Sequence, residues 1–402
     1  MLLQETHSEN TQKFVARGDL DVLTQTGPAT PDHIIRTKRI PMVGSAMKDV
    51  EAFVLAYVKY FEEQSVGLAG SSVQMVDPAP RVILDPVHGC MMTSGRTVKD
   101  CSIASEIYQH TMEIQANAEA LGGWRALPKD RLFQVEYWDL EQAKLGLAGK
   151  AAAFTGEIAL VTGSAGGIGK ACVEALLARG AAVIGLDKAE QPASGNGQFV
   201  PIKCDLADDG ELARAFEIGV QTFGGLDMLV LNAGIFPPAK PLAQMDVSTW
   251  QLVQNINVTV NVALARLAHP MLARAPRGGR VVLVGSKNVA APGPGAGAYS
   301  ASKAALTQLA RVAALEWGGD GIRVNVIHPN AVFDTGIWNG GVLEARAASY
   351  GMSVEAYKKN NILGVEISSR DVAELAAEMC GVVFSKTTGA QIPIDGGNDR
   401  VI

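Results

Sequence analysis

Ser286, Tyr299 and Lys303 are the residues of this chain best suited to chemistry, and they lie within one stretch, SKNVAAPGPGAGAYSASK. Tyr299 and Lys303 are four residues apart, so they share one face of any helix that begins near the tyrosine. An ammonium close to a phenol favours the phenolate, which lowers the pKa of the phenol from its reference value of about 10. Such a base can take a proton from a hydroxyl while a hydride leaves the same carbon.

A Tyr-x-x-x-Lys pair also arises by chance, so its meaning depends on the elements that position it. Six largely apolar runs, rich in valine and isoleucine, have the composition of strands buried on both faces of a parallel sheet. They are 158–162, 182–186, 199–203, 227–231, 280–284 and 323–327. Helical segments separate them, beginning near Gly167, Gly210, Ser248, Tyr299 and Ser369. The alternation predicts an α/β fold with a Rossmann-like, doubly wound parallel sheet, whose ligand lies at the carboxyl ends of the strands.

The first of these strands runs into a glycine-rich turn, VTGSAGGIG, that opens a helix. Gly163, Gly167 and Gly169 allow a tight turn and let the backbone and the helix N-terminus approach a pyrophosphate. Asp187 ends the second strand, where a carboxylate can accept hydrogen bonds from a ribose 2′-hydroxyl and repels a 2′-phosphate. NAD is therefore predicted in preference to NADP, although the neighbouring Lys188 could pair with a phosphate.

Polar and small residues also follow the third and fourth strands. Asp205 lies in KCDLAD after the third strand, and Asn232, Ala233 and Gly234 follow the fourth. Because the carboxyl ends of parallel strands meet at one edge, we expect both groups beside the cofactor. The alternative is that they are ordinary turn residues.

Composition excludes several classes of protein. The chain has 402 residues, 48% hydrophobic and 19% charged, as expected for one or two well-packed domains rather than a disordered chain. A net charge of −6 argues against nucleic acid or an anionic membrane as the main partner. The five cysteines are scattered without a C-x-x-C pair, which favours reduced buried thiols. With no signal-peptide pattern and no apolar run of ~18 residues, the expected location is the cytoplasm.

Beyond Leu147 the composition shifts to small apolar residues and glycines. A boundary near Gly149 to Gly156 is therefore predicted to separate domains at 1–150 and 151–402. Residues 1 to about 45 are predicted to be an irregular arm. A helix over 48–64, a hairpin formed by RVILD and CMMTS, and a long helix from Val98 to Leu121 are predicted next. The segment LFQVEYWDLEQAKLG is predicted to give a strand or turn and then a short helix. The first 150 residues would thus be a smaller α+β extension.

Residues from about 150 to 402 resemble a short-chain dehydrogenase/reductase with a single Rossmann-like domain. The resemblance rests on TGSAGGIG, CDLAD, LNAG, QNINV, the serine of VLVGSK, YSASK and TGAQIPIDGG, in that order. It implies a catalytic tetrad of Asn257, Ser286, Tyr299 and Lys303. Tyr299 would be the general acid/base, and Ser286 would hydrogen-bond the reacting oxygen. Lys303 would hold the nicotinamide ribose and lower the tyrosine pKa, while Asn257 would anchor a water in a proton relay.

The same resemblance implies a set of cofactor-binding residues along the strand ends. They are Gly163, Ser164, Gly167, Ile168, Gly169, Asp187, Asp205, Leu206, Asn232, Ala233, Gly234, Tyr299, Lys303, Pro329 and Thr335. One departure is that the family usually has Pro-Gly after the sixth strand, whereas this chain has Pro329-Asn330. Asparagine tolerates left-handed backbone angles, so the turn is expected to survive, with Thr335 able to reach the carboxamide.

A long connection over 333–363 stands where a substrate should enter. It is a candidate lid, and the alternative is a surface helical hairpin that packs on a partner subunit. The residues that could face a substrate are Trp338, Asn339, Tyr350, Lys358 and Lys359. The lysine pair could attract a phosphate or carboxylate, or could simply be a solvated face.

The first 150 residues resemble the last part of the aldolase half of bifunctional class II aldolase/short-chain dehydrogenases, which are associated with rhamnulose-1-phosphate cleavage and lactaldehyde oxidation. The resemblance rests on TPDHIIRTKR, the hairpin, the helix that ends in EALGG, and VEYWDLEQAKL. A class II aldolase holds a metal with several histidines, typically as H-x-H, whereas His7, His33, His88 and His110 are far apart here. No metal site and no aldolase activity are therefore expected, unless a companion chain supplies the missing half. His33 is expected to be an ordinary loop histidine rather than a remaining ligand, and the extension to cap the dehydrogenase or build an oligomer interface.

The predicted function is NAD-dependent oxidation of a small hydroxylated alcohol or aldehyde, which the resemblance extends to lactaldehyde giving lactate. Three alternatives stay open: the same chemistry on a sugar alcohol or its phosphate, a non-catalytic NAD-binding assembly protein, and a metal-dependent aldolase completed by a partner chain. A small-molecule substrate and a homodimer or homotetramer are expected, without a nucleic-acid or membrane partner.

Overall fold

The structure is a computed structural model that describes residues 1–66, 73–146, 151–339 and 341–398. The chain divides into two compact units, Met1–Ala152 and Ala153–Ile402. Residues 147–150, on which Gly149 and the predicted domain boundary at 150 fall, lie outside the described residues.

The first unit contains a four-stranded sheet. Its strands are β1 (Leu2–Thr6), β2 (Met42–Val43), β3 (Val82–Asp85) and β4 (Cys90–Gly95). They are arranged in the order β1-β4-β3-β2. The predicted hairpin is confirmed, because β3 and β4 pair antiparallel with Val82 opposite Thr93.

Seven helices accompany this sheet in the described part of the unit. They are α1 (Glu9–Val15), α2 (Leu20–Thr24), α3 (Ile34–Thr37), α4 (Met47–Ser65), α5 (Val98–Ala120), α6 (Lys129–Glu136) and α7 (Asp139–Gly146). The helices predicted over 48–64 and 98–121 are confirmed as α4 and α5. The start of α5 is fixed by Thr97, whose Oγ1 accepts the Asp100 N–H at 3.1 Å.

The prediction of an irregular arm over residues 1–45 is wrong. This stretch contains β1, β2 and three short helices, whose apolar residues, such as Leu2, Phe14 and Ile34, are buried. Elements this short have little stability of their own and form because they pack against partners distant in sequence. β1 is an example, since it pairs antiparallel with β4 and places Leu2 opposite Gly95.

The strand suggested for LFQVEYW is also absent, because these residues lie in and just after α6. Leu132, Phe133 and Glu136 are buried along one side of this helix. Short apolar runs do not distinguish a strand from one turn of a buried helix, so burial against α4 decided the outcome.

A buried charge pair lies among the aromatic residues of the first unit. Lys38 Nζ is 3.9 Å from Glu136 Oε1 and 3.9 Å from the centroid of the Tyr57 ring. The Tyr57 hydroxyl donates to Glu136 Oε1 at 2.7 Å and lies 2.8 Å from the Tyr137 hydroxyl. Burial lowers the pKa of Lys38 to about 8 and raises the pKa of Glu136, because both charged forms lose their hydration.

The second unit contains a seven-stranded parallel sheet. Its strands are β5 (Ile158–Thr162), β6 (Ala182–Asp187), β7 (Phe199–Lys203), β8 (Met228–Leu231), β9 (Arg280–Val284), β10 (Arg323–Pro329) and β11 (Gln391–Ile394). Their order is β11-β10-β9-β8-β5-β6-β7, with every neighbouring pair parallel. The predicted fold class and all six predicted strands are confirmed.

The seventh strand, β11, is missing from the sequence prediction. Its sequence, QIPI, contains Pro393, and proline within a short run argues against a central strand. The structure resolves this conflict by placing β11 at the edge of the sheet, beside β10.

Helices cover both faces of this sheet. They are α8 (Gly167–Ala178), α9 (Asp209–Phe223), α10 (Val247–Gln254), α11 (Val260–Leu272), α12 (Gly297–Trp317), α13 (Val342–Ser349), α14 (Val354–Lys358) and α15 (Ser369–Cys380). Val282 belongs to the core that includes residues of α8 and α15, whereas Val281 and Leu283 face a groove lined by α11 and α12. Alternate residues of a strand point to opposite faces, so the two helix groups lie on opposite sides of the sheet.

Candidate active site

The turn between β5 and α8 is packed so tightly that only glycine fits at two of its positions. A Cβ on Gly169 would lie 1.9 Å from the Gly163 carbonyl oxygen, far inside van der Waals contact. Gly163 has φ 66°, and a Cβ there would approach Asn232 Nδ2 to 2.9 Å. The turn therefore brings backbone, rather than side chains, to the N-terminus of α8, where N–H groups favour an anion.

Asp187 is attached to this turn. Its Oδ2 accepts the Ala165 N–H at 3.0 Å, and its Oδ1 accepts the Ala189 N–H at 2.9 Å. Each carboxylate oxygen has a further lone pair, so Asp187 can still accept a hydrogen bond from a ribose hydroxyl. Gln191, which the sequence did not indicate, reaches the same turn by donating to Ser164 Oγ at 2.9 Å.

The end of β8 is joined to the end of β5 by side-chain hydrogen bonds. Thr162 Oγ1 accepts the N–H groups of both Asn232 and Ala233 at 3.0 Å, and Asn232 Nδ2 donates to the Thr162 carbonyl at 3.0 Å. Gly234 follows, and a Cβ on it would lie 3.2 Å from Asn257 Oδ1 and 3.4 Å from Lys303 Nζ. The structure thus brings these predicted residues of two strands together.

The remaining predicted cofactor residues differ in their surroundings. Asp205 is exposed beyond β7, and its Oδ1 accepts the Ala207 N–H at 2.9 Å. Leu206 and Ile168 are partly buried, and Ile168 packs against the core beneath α8. Asp205 and Leu206 therefore lie at the end of β7, with β6 between them and the glycine turn.

Lys303 and Tyr299 lie in the first two turns of α12 and point to the end of β9. Lys303 Nζ donates to the Val284 carbonyl at 2.8 Å and lies 5.8 Å from the centroid of the Tyr299 ring. The lysine is 3% exposed, and this burial lowers its pKa to about 8. An amine with that pKa keeps its proton at neutral pH.

The pKa of Tyr299 does not move in the predicted direction. Burial raises it, because the phenolate would lose its hydration, while a hydrogen bond from the Ser286 hydroxyl lowers it. The predicted lowering by Lys303 is not seen, since Lys303 Nζ is directed to Val284 rather than to the phenol oxygen. Phe236 also packs on Tyr299 edge-on, with 4.6 Å between ring centroids. No motif in the sequence pointed to Phe236.

Asn257 lies in a π-helical turn, Asn255–Thr259, that joins α10 to α11. Its side chain is fully buried: Oδ1 accepts the Ile235 N–H at 2.8 Å, and Nδ2 donates to the Ile235 carbonyl at 3.0 Å and to Ser302 Oγ at 3.0 Å. Ser302 Oγ donates in turn to the Tyr299 carbonyl at 2.7 Å. Asn257 therefore ties the loop after β8 to the first turn of α12. The insertion of an extra residue in a helix, as here, recurs at functional sites.

The turn after Pro329 holds its left-handed residue one position later than expected. Ala331, not Asn330, has the left-handed φ of 47°. This conformation costs an alanine about 1–2 kcal/mol, so the surrounding packing must hold it. Thr335 lies beside the glycine turn, because a Cβ on Gly167 would be 3.1 Å from Thr335 Cγ2, and its Oγ1 donates to the Val332 carbonyl at 2.8 Å.

The connection over 333–363 folds into a short 3₁₀ turn, Gly336–Trp338, followed by α13 and α14. Phe333, Trp338 and Tyr357 form an aromatic cluster with centroid separations of 4.8, 5.9 and 6.3 Å, and Tyr350 stacks on Tyr357 at 5.5 Å. Lys358 is paired with Glu366 at 3.1 Å. That pairing favours the solvated-face interpretation of Lys358 over an anion site.

No three His, Cys, Asp or Glu side chains of the described residues are arranged to hold a metal ion. Two of the four histidines considered above are bound to carboxylates, His7 to Glu5 at 3.0 Å and His88 to Asp85 at 2.7 Å. The Nδ1 of His33 is buried. In the described ranges, no helix is long and apolar enough to cross a membrane.

Family comparisons agree with this arrangement. Residues 163–399 match the family model described as "Enoyl-(Acyl carrier protein) reductase", and residues 1–145 match "Aldolase class II, second domain". The chain belongs to the short-chain dehydrogenase/reductase family, and it carries an aldolase-like region at its N-terminal end. Both resemblances stated from the sequence are thereby confirmed.

Curated relatives match either the whole chain or its second unit. "Uncharacterized oxidoreductase YuxG" of Bacillus subtilis is 34% identical over 426 residues, which cover 99% of this chain and 61% of YuxG. The chain thus spans about three fifths of the length of that relative. "Cis-4-hydroxycyclohexanecarboxylate dehydrogenase" of Sinomonas cyclohexanicum is 32% identical over 256 residues, which cover 62% of this chain and 99% of that enzyme.

Solved structures resemble the second unit. A short chain dehydrogenase family protein from Francisella tularensis has a TM-score of 0.54 and 28% identity, covering 61% of this chain and 99% of that one. A 3-ketoacyl-(acyl-carrier-protein) reductase from Brucella melitensis, solved with NADH, has a TM-score of 0.55 at 23% identity, covering 60% of this chain and 98% of that one. The second likeness concerns the fold alone.

The packing of the glycine turn yields a matched pair of variants. Gly169→Ala is expected to weaken binding of a nicotinamide dinucleotide at least tenfold, about 1.4 kcal/mol, because the new methyl group pushes the turn away from the α8 N-terminus. Gly166→Ala is the control, because Gly166 has φ −156° and open space where its Cβ would be. Titration of each variant with NADH, followed by nucleotide fluorescence, measures the effect. Equal affinities for the two variants would contradict the assignment of the turn.

Proposed function

We propose that this protein is an NAD-dependent dehydrogenase of a small hydroxylated alcohol or aldehyde, with residues 151–402 as its catalytic domain. The observation that carries the proposal is the convergence of Ser286, Tyr299 and Lys303 at the strand ends that also bear the glycine turn. Ser286 and Tyr299 share a hydrogen bond, and Lys303 donates to the carbonyl of Val284, two residues before Ser286. A protein that only bound NAD would have no use for this arrangement.

The residues around the glycine turn fit a dinucleotide. The backbone of the turn is free of side chains at Gly163, Gly167 and Gly169, and Gly166 caps α8 without a side-chain hydrogen bond. The first N–H groups of α8 are therefore available for a pyrophosphate. Asn232 would flank the turn, and Lys303 would bind the nicotinamide ribose with the ammonium hydrogens that Val284 does not use.

The bound nicotinamide supplies the acceptor for a hydride from the substrate carbon. Tyr299 would first lose its own proton through the proposed water relay, and its phenolate would then take the proton from the substrate hydroxyl, or from the hydrate of an aldehyde. In the free protein the Ser286 hydroxyl donates to Tyr299 and lowers its pKa; with substrate bound, that single O–H would donate to the reacting oxygen instead. Burial keeps Tyr299 protonated in the free protein, so the nearby positive charge of Lys303 must help to stabilise the phenolate when the reacting groups are assembled. Asn257 holds the Ile235 backbone and the α12 start in place, and with them the route by which a water relays the proton.

The substrate assignment rests on likeness. The aldolase-like N-terminal region favours lactaldehyde oxidised to lactate, and residues 1–150 are proposed to be a non-catalytic extension. The likeness to cis-4-hydroxycyclohexanecarboxylate dehydrogenase favours a secondary alcohol as the second candidate, a class that includes sugar alcohols. A working aldolase completed by another chain would require a stoichiometric divalent metal, which elemental analysis of the purified protein measures.

We expect loss of turnover in Tyr299→Phe with retention of cofactor binding. Removing the acid/base should lower kcat about 10²- to 10⁴-fold, and NADH should bind as before, because the phenol oxygen is the only atom removed. The measurement is NADH appearance with NAD and L-lactaldehyde, beside a sugar-alcohol phosphate and cis-4-hydroxycyclohexanecarboxylate. A wild-type chain that binds NADH tightly but turns over none of a broad alcohol and aldehyde panel would favour the assembly-protein alternative.

Cofactor choice is expected to depend on the charge of Asp187. Asp187→Asn keeps the shape of the side chain but removes the repulsion of a 2′-phosphate, so the ratio of kcat/KM for NADP to that for NAD should rise tenfold or more, about 1.4 kcal/mol. Lys188→Ala tests the alternative that Lys188 pairs with a 2′-phosphate: if the charge of Asp187 sets the choice, the ratio should stay within about twofold, a change below about 0.5 kcal/mol. A wild-type preference for NADP would contradict the assignment.

A second copy of the chain is proposed to cover the outer faces of α11 and α12. These helices line a cavity of about 350 Å³ and carry exposed apolar side chains, including Val262, Leu309, Val312 and Leu315, the last 85% exposed. Sedimentation equilibrium is expected to give a homodimer or homotetramer, and Leu315→Glu to shift it towards the monomer. A wild-type monomer at micromolar concentration would refute this interface.

A further inference from the structure

The β9–β10 hydrogen-bond ladder ends immediately before Ser286. The Gly285 N–H donates to the Ile327 carbonyl at 2.8 Å, as expected for parallel strands. The next bond of the ladder would come from the N–H of residue 329, but that residue is proline and has none. The backbone of Ser286 therefore lies just beyond the last regular bond between these strands.

The imidazole of His328 lies beside the Ser286 backbone, just beyond the last regular hydrogen bond of the ladder. His328 Nδ1 is 3.2 Å from the Ser286 nitrogen and 3.0 Å from the Ser286 carbonyl oxygen. The ring lies so close to β9 that a Cβ on Gly285 would be 2.7 Å from Nδ1 and 2.8 Å from Cε1. Glycine at 285 is thus the residue that lets the ring reach the serine backbone.

The other nitrogen of the ring is held by the edge strand. His328 Nε2 is 2.7 Å from Gln391 Oε1, on the first residue of β11. Because a carbonyl oxygen only accepts, the Gln391 Oε1 contact assigns the ring proton to Nε2. The neutral ring then accepts the Ser286 N–H at Nδ1, and the approach of Nδ1 to the Ser286 carbonyl oxygen is a contact between two acceptors rather than a second hydrogen bond.

We infer that His328 is a positioning residue for Ser286, oriented by Gln391, in the reaction proposed above. This inference rests on the proposed role of Ser286. His328 reaches no reacting atom; at the point where the regular ladder stops, its ring accepts the Ser286 N–H and so holds the serine backbone at the end of β9. The Ser286 hydroxyl, which must meet both Tyr299 and the substrate oxygen, then starts from a fixed backbone.

Two substitutions of His328 test this role. His328→Leu removes the acceptor at the Nδ1 position, and we expect kcat to fall about 10- to 100-fold, since small misplacements of a reacting group have effects of that size. His328→Asn places an amide oxygen close to the Nδ1 position and should keep kcat within about threefold of wild type by the same argument. KM for NAD should stay unchanged in both variants, because the glycine turn is not altered.

The decisive measurement is the same pair of variants in a Ser286→Ala background. If His328 acts only through Ser286, then His328→Leu should lower kcat no further in that background, because the two residues work as one unit. A further drop equal to that in the wild-type background would overturn the inference, as would equal losses for His328→Leu and His328→Asn. Should Ser286→Ala itself leave kcat unchanged, the proposed function of the serine fails, which is a different result.

Gln391→Leu is a second variant in case His328→Leu does not fold. It leaves the imidazole in place but removes the acceptor that fixes its proton on Nε2. We expect a smaller loss of kcat than for His328→Leu, again with an unchanged KM for NAD. If the Gln391→Leu variant folds and its kcat equals that of the wild type, Gln391 does not orient His328 for the reaction.

Discussion

Parallel pairing of neighbouring strands is the constraint on which the candidate site depends. β5, β8, β9 and β10 lie side by side, so their carboxyl ends bring the glycine turn, Asn232, Ser286 and the Pro329 turn to one edge of the sheet. Loops that leave such an edge would be mobile if nothing held them. Here side chains connect the ends of different strands: Thr162 to the N–H groups after β8, and Lys303 to the carbonyl of Val284. The site is therefore positioned by the sheet rather than by its own loops.

Burial is the second physical theme, and it acts against ionisation at the site. Lys303 and Tyr299 both lose hydration, which lowers the pKa of the lysine to about 8 and raises that of the tyrosine. A buried amine is acceptable because one of its hydrogens is satisfied by a backbone carbonyl. In the free protein, the hydrogen bond from Ser286 lowers the pKa of Tyr299, but burial raises it by more. Chemistry at Tyr299 thus depends on the assembly of the groups around it, not on a permanently ionised base.

The first unit uses burial differently. Lys38 and Glu136 form a charge pair inside an aromatic cluster, where a partner-less charge would cost several kcal/mol. Pairs of this kind contribute little net stability, but removal of one partner is strongly destabilising because it leaves the other charge buried alone. The unit has its own sheet and its own apolar core. Residues 1–145 of this unit match the second domain of class II aldolases, and the chain as a whole spans 61% of YuxG.

The sequence by itself determined the α/β class, six of the strands, the glycine turn and the spacing of Tyr299 and Lys303. These follow from local rules: apolar runs of strand length, glycines where no Cβ fits, and one helical turn between two side chains. Short elements such as β1 and β11 escaped prediction because their stability comes from pairing with distant residues. Only the tertiary structure decided that Ala331 takes the left-handed turn, that Asn257 braces α12, and that His328 reaches the backbone of Ser286 while Gln391 holds its ring. The contact of His328 with Ser286 spans 42 positions of the chain, and its contact with Gln391 spans 63. No local pattern encodes which strand ends will meet.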